Sequence, residues 1–394
     1  MLNILTFTSL YPSAAQPVHG VFVENRLRHL VDSGKVKLRV VAPTPWFPFK
    51  GKTFGQYGVY AQTPRQETRS GISVIYPRFP VIPKFGMSLG PRLLYLALKP
   101  VLAKILSSGE KFDLIDAHYF YPDGVAAAML GQAFNIPVVI TARGTDINLI
   151  PQYDKPKRQI LWAADKAAAS ITVCQALKDT LVELGADGAK IHALRNGVDL
   201  TMFKPGDREK DRQNLGLQGQ TLLSVGHLIE RKGHHLAIEA LTKLPDCTLL
   251  IAGDGPERQN LESLTARLKL TDRVTFLGRI PHNNLAAVYG AVDALILASS
   301  REGWANVLLE AMACGTPVIA SNVWGTPEIV ATPESGVLME TRTADGLAVA
   351  ARRLFDDMLD RAATRAYAEQ FSWDATTQGQ LDLFHAIAAA HRTA

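Results

Sequence analysis

Short apolar runs alternate with stretches in helical period along almost the whole chain. Residues 4–7, 38–42, 113–117, 137–141, 171–173 and 191–194 read as strands in the first half. Residues 222–225, 249–252, 274–277, 294–298 and 318–320 do so in the second. Between them lie helical stretches, among them 21–31, which ends near Gly34. Strands that are apolar on both faces need cover on both faces, which parallel sheets flanked by helices supply. The fold class is therefore α/β, with two doubly wound, Rossmann-like halves. Asn196-Gly197 and Pro205-Gly206 are turn signals, and the charged run 207–212 reads as a linker. The domains become 1–200 and 201–373. The alanine-rich last helix, 374–394, either closes the second domain or, preferably, packs back on the first. Residues 45–90 interrupt the pattern with prolines, glycines and aromatics, as an insertion or mobile loop would.

Composition adds limits. A chain of 394 residues exceeds one typical core, and 47% apolar with 20% charged residues fits a globular protein. Cys174, Cys247 and Cys314 are odd in number and far apart, without metal or disulfide spacing. They read as core residues of a cytoplasmic protein. The first residues form a strand and turn without a basic start, so no signal peptide is expected. The most apolar stretch, 93–106, is broken by Lys99, Pro100 and Lys104 and falls short of the ~20 residues of a membrane span.

Charge is uneven. Between Trp46 and Lys104 stand nine basic residues, Lys50, Lys52, Arg65, Arg69, Arg78, Lys84, Arg92, Lys99 and Lys104, against one acid, Glu67. Trp46, Phe47, Phe49, Phe54, Tyr57, Phe79 and Phe85 are mixed among them. Such a segment fits an anionic membrane surface or a lipid-linked anionic substrate, and hence a peripheral position on the inner face of the cell membrane. Nucleic acid would suit the same charge. A solvated loop whose aromatics pack inward is the other reading.

Open α/β sheets bind ligands beyond the carboxyl ends of their strands. Polar residues placed there include Gly20, His118, Arg143 and Asp146 in the first half. The second half offers Gly226 to Gly233, Gly253 to Pro256, and the stretch around Glu302. In that stretch, Asn306 and Glu310 share a helix face near its N-terminus, where free N–H groups suit a phosphate. Carboxylates beside an anion site make sense if they accept bonds from hydroxyls. A nucleotide-sugar supplies phosphates and hydroxyls together.

Five motifs then resemble those of retaining glycosyltransferase family 4, of the GT-B fold and the bacterial surface-polysaccharide type. Ser9-Leu-Tyr-Pro with Pro17-Val-His-Gly-Val-Phe-Val-Glu24 resembles its glycine loop, and Ala117-His-Tyr-Phe-Tyr-Pro-Asp-Gly124 its histidine loop. Asn196-Gly-Val-Asp199 with Phe203 resembles its inter-domain signature. Glu302-Gly-Trp-Ala-Asn-Val-Leu-Leu-Glu310 resembles its paired-glutamate motif, followed by Gly325-Thr-Pro-Glu-Ile-Val330 and Gly336-Val-Leu338.

The resemblance implies two Rossmann-like domains facing each other across a cleft. It also implies transfer of a sugar from a UDP- or GDP-sugar to a hydroxyl of a glycan or lipid-linked acceptor, with retention and without metal or cofactor. Lys232, helped by Arg231 and by helix N–H groups near Asn306 and Val307, would meet the leaving diphosphate. Gly20 would let backbone approach the phosphates or acceptor. His118 would hydrogen-bond a sugar hydroxyl. Glu302 would stabilise charge at the anomeric carbon, Glu310 would accept from the ribose, and Arg279-Ile280 would offer backbone to the base. Asp146 and Glu328 are weaker candidates.

Two departures stand out: His227 occupies the place of a usual arginine, and Arg143 that of a usual histidine. Arg231 would make up the charge missing at His227. Arg143 adds a cation on the acceptor side, beside Asp146. Among rivals, a dinucleotide-dependent oxidoreductase would want Gly-x-Gly-x-x-Gly after the first strand, where Ser9, Tyr11 and Pro12 stand instead. A GT-B epimerase would leave the basic aromatic segment unexplained. A non-catalytic binding protein would not need Lys232, Glu302 and Glu310 together. The nucleic-acid reading is set aside.

Overall fold

A computed structural model describes residues 1–81, 87–357 and 359–393. Lys84 and Phe85 of the basic segment lie outside the described residues. The chain divides into two compact units, Met1–Arg195 with Asp374–Ala394, and Asn196–Trp373.

The first unit is built on eight strands: β1 Leu2–Phe7, β2 Val36–Val41, β3 Gln66–Arg69, β4 Ile72–Ile75, β5 Leu114–His118, β6 Val138–Ala142, β7 Ala169–Thr172 and β8 Ile191–Ala193. Their order is β8-β7-β6-β5-β1-β2-β4-β3, parallel except that β3 runs antiparallel on β4. Chain order reverses at β1, with β2 on one side and β5 on the other. The turns after β1, β5 and β6 therefore gather at neighbouring carboxyl ends. Every residue of β5 and β6 is buried, as expected of central parallel strands.

The last helix, Trp373–Thr393, belongs here: Leu381, Phe384 and Ala388 are buried with Leu2, Ile4, Leu114 and Ile171. Buried Arg26 ties the first helix, Val21–Asp32, to it through a 3.0 Å bond from Nε to Gln380 Oε1.

Residues 45–90 are not one irregular interruption. They contain a helix, Gly55–Gln62, and the strands β3 and β4, which extend the sheet beyond β2. The helix Gly90–Ser107 buries Leu94, Leu98, Leu102 and Ile105 along one face. Among the described residues no helix is long and apolar enough to cross a membrane.

The second unit has six parallel strands: β9 Gln220–Val225, β10 Cys247–Ala252, β11 Val274–Gly278, β12 Ala294–Leu297, β13 Val318–Ser321 and β14 Gly336–Met339. Their order is β11-β10-β9-β12-β13-β14. The unit begins at Asn196 because the inter-domain turn is tied down inside it. Val198 N–H donates to the Phe371 carbonyl at 2.9 Å, and a Cβ on Gly197 would lie 2.6 Å from the Trp373 nitrogen.

The charged run is a helix rather than a linker. Asp207 caps Arg208–Asn214 by accepting from Lys210 N–H at 3.1 Å, while Arg208 and Arg212 pair with Asp293 at 2.6 and 3.3 Å. The three cysteines are buried, and burial pushes the Cys247 and Cys314 thiols up to about 11 and about 12. That suits packing rather than nucleophilic work.

Candidate active site

In the second unit, β9 lies between β10 and β12, so the turns leaving these strands are neighbours. After β9 the chain makes a short 3-10 turn, Glu230–Lys232, ending at Gly233. Gly233 has φ 73°, and a Cβ there would sit 2.1 Å from the Ala298 carbonyl oxygen. Only glycine lets this turn press against the end of β12. The Ser300 N–H donates to the Arg231 carbonyl at 2.9 Å and fixes the other side.

Lys232 Nζ consequently lies 2.6 Å from Glu302 Oε1, with Arg231 Nη1 at 3.6 Å from the same oxygen. Neighbouring side chains would diverge on an α-helix, but the tighter turn brings both cations to one carboxylate. Burial alone would push the Glu302 carboxyl up; Lys232 and Arg231 hold it below the ordinary range. His227 is elsewhere: exposed, with Nδ1 donating to the Asp254 carbonyl at 2.6 Å.

The helix Asn306–Ala313 carries Asn306 and Val307 at its mouth and Glu310 inside. Glu310 is 8% exposed. His282 Nε2 lies 3.0 Å from its Oε1, and the Tyr289 hydroxyl donates to its Oε2 at 3.0 Å. The bond to Glu310 raises His282 above the usual imidazole range. Neither His282 nor Tyr289 was singled out above, because they meet Glu310 only through the fold. Asn306 Oδ1 accepts from Asn196 Nδ2 at 3.4 Å. Arg279 is exposed and Ile280 half-buried just past β11. Glu328 lies on the short helix Thr326–Ile329 after β13.

The first unit uses its polar residues differently. His118 is fully buried, with Nδ1 2.7 Å from Arg143 Nη2 and Nε2 3.1 Å from Asp116 Oδ2. Burial lowers it to about 4, Asp116 opposing the shift and Arg143 adding to it. A neutral ring accepts from Arg143 at Nδ1 and carries its N–H at Nε2, on the side of Asp116.

Asp146 is also committed internally. Its carboxylate accepts from Phe120 N–H at 2.7 Å, Gly144 N–H at 2.7 Å and Arg143 N–H at 3.0 Å. It joins the turns after β5 and β6 rather than facing outward. Asp123 does the same for the turn after β1, accepting from Ser9 N–H at 2.6 Å and Ser9 Oγ at 2.8 Å. Burial pushes Asp123 up to about 7. Gly20, at φ 71°, packs on its own loop, where a Cβ would lie 2.3 Å from the Leu10 carbonyl oxygen. That close approach is to protein backbone.

Of the aromatics in the basic segment, Phe79 is buried, while Trp46, Phe49, Phe54 and Tyr57 are exposed. Phe47, Phe49, Phe54 and Tyr57 pack on one another with ring centres 5.4–6.0 Å apart. They neither all turn inward nor scatter singly.

Comparison with known proteins covers both units. The family described as "Glycosyltransferase Family 4" matches residues 20–202, and "Glycosyl transferases group 1" matches 207–371. The chain is 32% identical over 311 residues to a D-inositol 3-phosphate glycosyltransferase of Acidothermus cellulolyticus, covering 72% of this chain and 69% of that one. It is 29% identical over 363 residues to the putative teichuronic acid biosynthesis glycosyltransferase TuaC of Bacillus subtilis, covering 89% of each. Among solved structures, Anabaena HepE in complex with UDP matches with a TM-score of 0.75 at 22% identity, over 98% of this chain and all of that one.

Proposed function

Because this chain belongs to glycosyltransferase family 4 and has the GT-B fold, we propose that it moves a sugar, with retention, from a nucleotide-diphosphate sugar to a hydroxyl of a glycan or lipid-linked acceptor. The observation that carries this reading is the convergence of Lys232 and Arg231 on Glu302, next to the mouth of the helix that holds Glu310.

A departing nucleoside diphosphate gathers negative charge as the sugar bond breaks. Cations and N–H groups already in place stabilise that charge without reorganising. Lys232 has three donors, so it can keep Glu302 and still meet a phosphate oxygen; Arg231 adds a second cation. Glu302, kept ionised by both, faces the positive charge that grows at the anomeric carbon. Glu310 has both oxygens oriented by Tyr289 and His282, and each keeps lone pairs for the ribose hydroxyls. Backbone at Arg279-Ile280 serves the base. The first unit takes the acceptor, with Arg143 as its cation near β6. His118 acts on this reading through Arg143, and Asp146 by holding the turns.

UDP is favoured because HepE binds it, and surface-polymer synthesis because TuaC is named for teichuronic acid. The exposed aromatics with Lys50 favour contact with an anionic membrane face.

The test is UDP or GDP release from a panel of nucleotide-sugars, with and without acceptor. Release that requires acceptor supports transfer. Conversion of the sugar without acceptor would replace this reading with an epimerase.

A further inference from the structure

At the carboxyl ends of β1 and β2 the first unit forms a half-open pocket of about 220 Å³. Clefts for drug-sized ligands run to roughly 300–1,000 Å³, so this one has room for about one ring. Its lining includes Tyr11, Gln16, His19, Tyr60, Thr63 and Phe79. Among the described residues the Tyr11 hydroxyl and Thr63 Oγ1 have no hydrogen-bond partner, although these residues are only 3% and 5% exposed. Buried hydroxyls left unmatched are costly, and two on one cavity point to a ligand that satisfies them.

The walls are built rather than loose. Asp123 holds Ser9 from below, and the Tyr76 hydroxyl donates to the Pro12 carbonyl at 2.6 Å. His19 Nε2 donates to the Ser9 carbonyl at 3.1 Å, which leaves Nδ1 as an acceptor. No Lys, Arg, Asp or Glu is among the described lining residues. Arg78 stands behind the wall, donating to the Thr63 carbonyl, and is not part of the lining. The rest of the lining mixes the aromatic residues Tyr60, Tyr76 and Phe79 with aliphatic ones such as Leu10 and Pro43 and with uncharged polar ones such as Gln16. Aromatic faces with a few placed polar groups suit a flat, hydroxyl-bearing, uncharged ring.

We propose that this cavity is a subsite for a neutral, hydroxylated six-membered ring of the acceptor, read by Tyr11 and Thr63. The assignment to the acceptor rests on the function proposed above; the neutral-ring chemistry rests on the cavity. Any charge on the acceptor then lies outside this pocket.

Saturation-transfer NMR on the full-length protein tests it. The probes are methyl α-D-glucopyranoside, methyl α-D-galactopyranoside, N-acetylglucosamine and myo-inositol, with glucose 6-phosphate as the charged ring and UDP as a reference. At least one neutral ring should bind, and Tyr11→Phe with Thr63→Val should weaken it at least about five-fold while UDP binding stays. These changes remove hydroxyls that have no partner and keep the shape, so the fold should survive. No neutral ring bound while UDP binds would overturn the subsite alone. Unchanged binding in the variant, or binding of glucose 6-phosphate only, would also overturn it. A neutral ring that binds and responds to the variant while UDP does not bind would support the subsite and defeat the donor reading instead.

Discussion

The two units share an architecture but use charge in opposite ways. In the second, Lys232, Arg231 and Glu302 converge at a turn where each keeps some exposure, the side chains being 17%, 30% and 11% accessible. In the first, Asp116, His118, Asp123 and Asp146 are all at 0% and bonded to the protein's own groups. Similar residue types at similar strand ends thus stay partly open in one unit and hold turns together in the other. A charged residue at a strand end is informative only once its partners are known.

The sharpest way to break this contrast is Lys232→Ala. It should lower turnover by roughly 10²–10³-fold, the usual effect of losing a group that meets developing charge. Melting should barely move, because the pair is partly exposed; steady-state kinetics with calorimetry would separate the two. A large fall in stability with turnover kept would place Lys232 with the scaffold instead.

Asp146→Ala should do the reverse. Three backbone N–H groups lose their acceptor, and the expected loss is ~3 kcal/mol or more, measured by denaturant unfolding. UDP binding in the second unit should persist.

Glu310 tests the borderline, because it is both held by protein and read as a ribose ligand. Tyr289→Phe frees one of its oxygens and should raise the donor KM about three- to ten-fold, with kcat nearly kept. A fall in kcat at constant KM would assign Glu310 to the chemical step.

A further effect is expected in pH. The Asp123 carboxyl is ordinarily near 3.8 and stands at about 7 in the fold. Between those values the unfolded chain has lost its proton and the folded chain keeps it, so stability falls as pH rises from about 4 to about 7. His118 works oppositely: held at about 4 against an ordinary 6.5, it adds stability as pH rises across that window. Asp123→Asn keeps an acceptor oxygen for Ser9 and removes the first slope only. The melting difference between variant and wild type should therefore grow in the variant's favour from pH 4 to pH 7 and then level off. A flat difference would reject the Asp123 assignment.

The elements that carry the proposed donor side were legible in the sequence, for a physical reason. The stretch from β12 into the helix with Glu310 is continuous in sequence, so its strand, turn and helix signals stand side by side. The partners of Glu310 were not legible, since His282, just past β11, and Tyr289, on the helix Leu285–Ala291, reach it only through tertiary packing. The strand β3, Gln-Glu-Thr-Arg, carries no apolar alternation because it is an edge whose residues are half or fully exposed. The helix Arg208–Asn214 was hidden by its charges; what stabilises it is the cap at Asp207 and the pairing with Asp293, which lies some eighty residues away. The internal partners of His118 and Asp146 were not legible, because a motif shows spacing and not which side of the backbone the partners occupy.

Phe384 and its neighbours on the last helix complete the core of the unit that begins at Met1. During synthesis the first unit has all its strands by Ala193 but must wait for residues 374 onward. At roughly 5–20 residues per second that wait is about 10–40 s. The second unit, continuous in sequence, emerges whole in the interval. For that time Leu2, Ile4 and Leu114 lack the apolar surface that will cover them, so the newborn chain's exposed greasy face belongs to the unit made first.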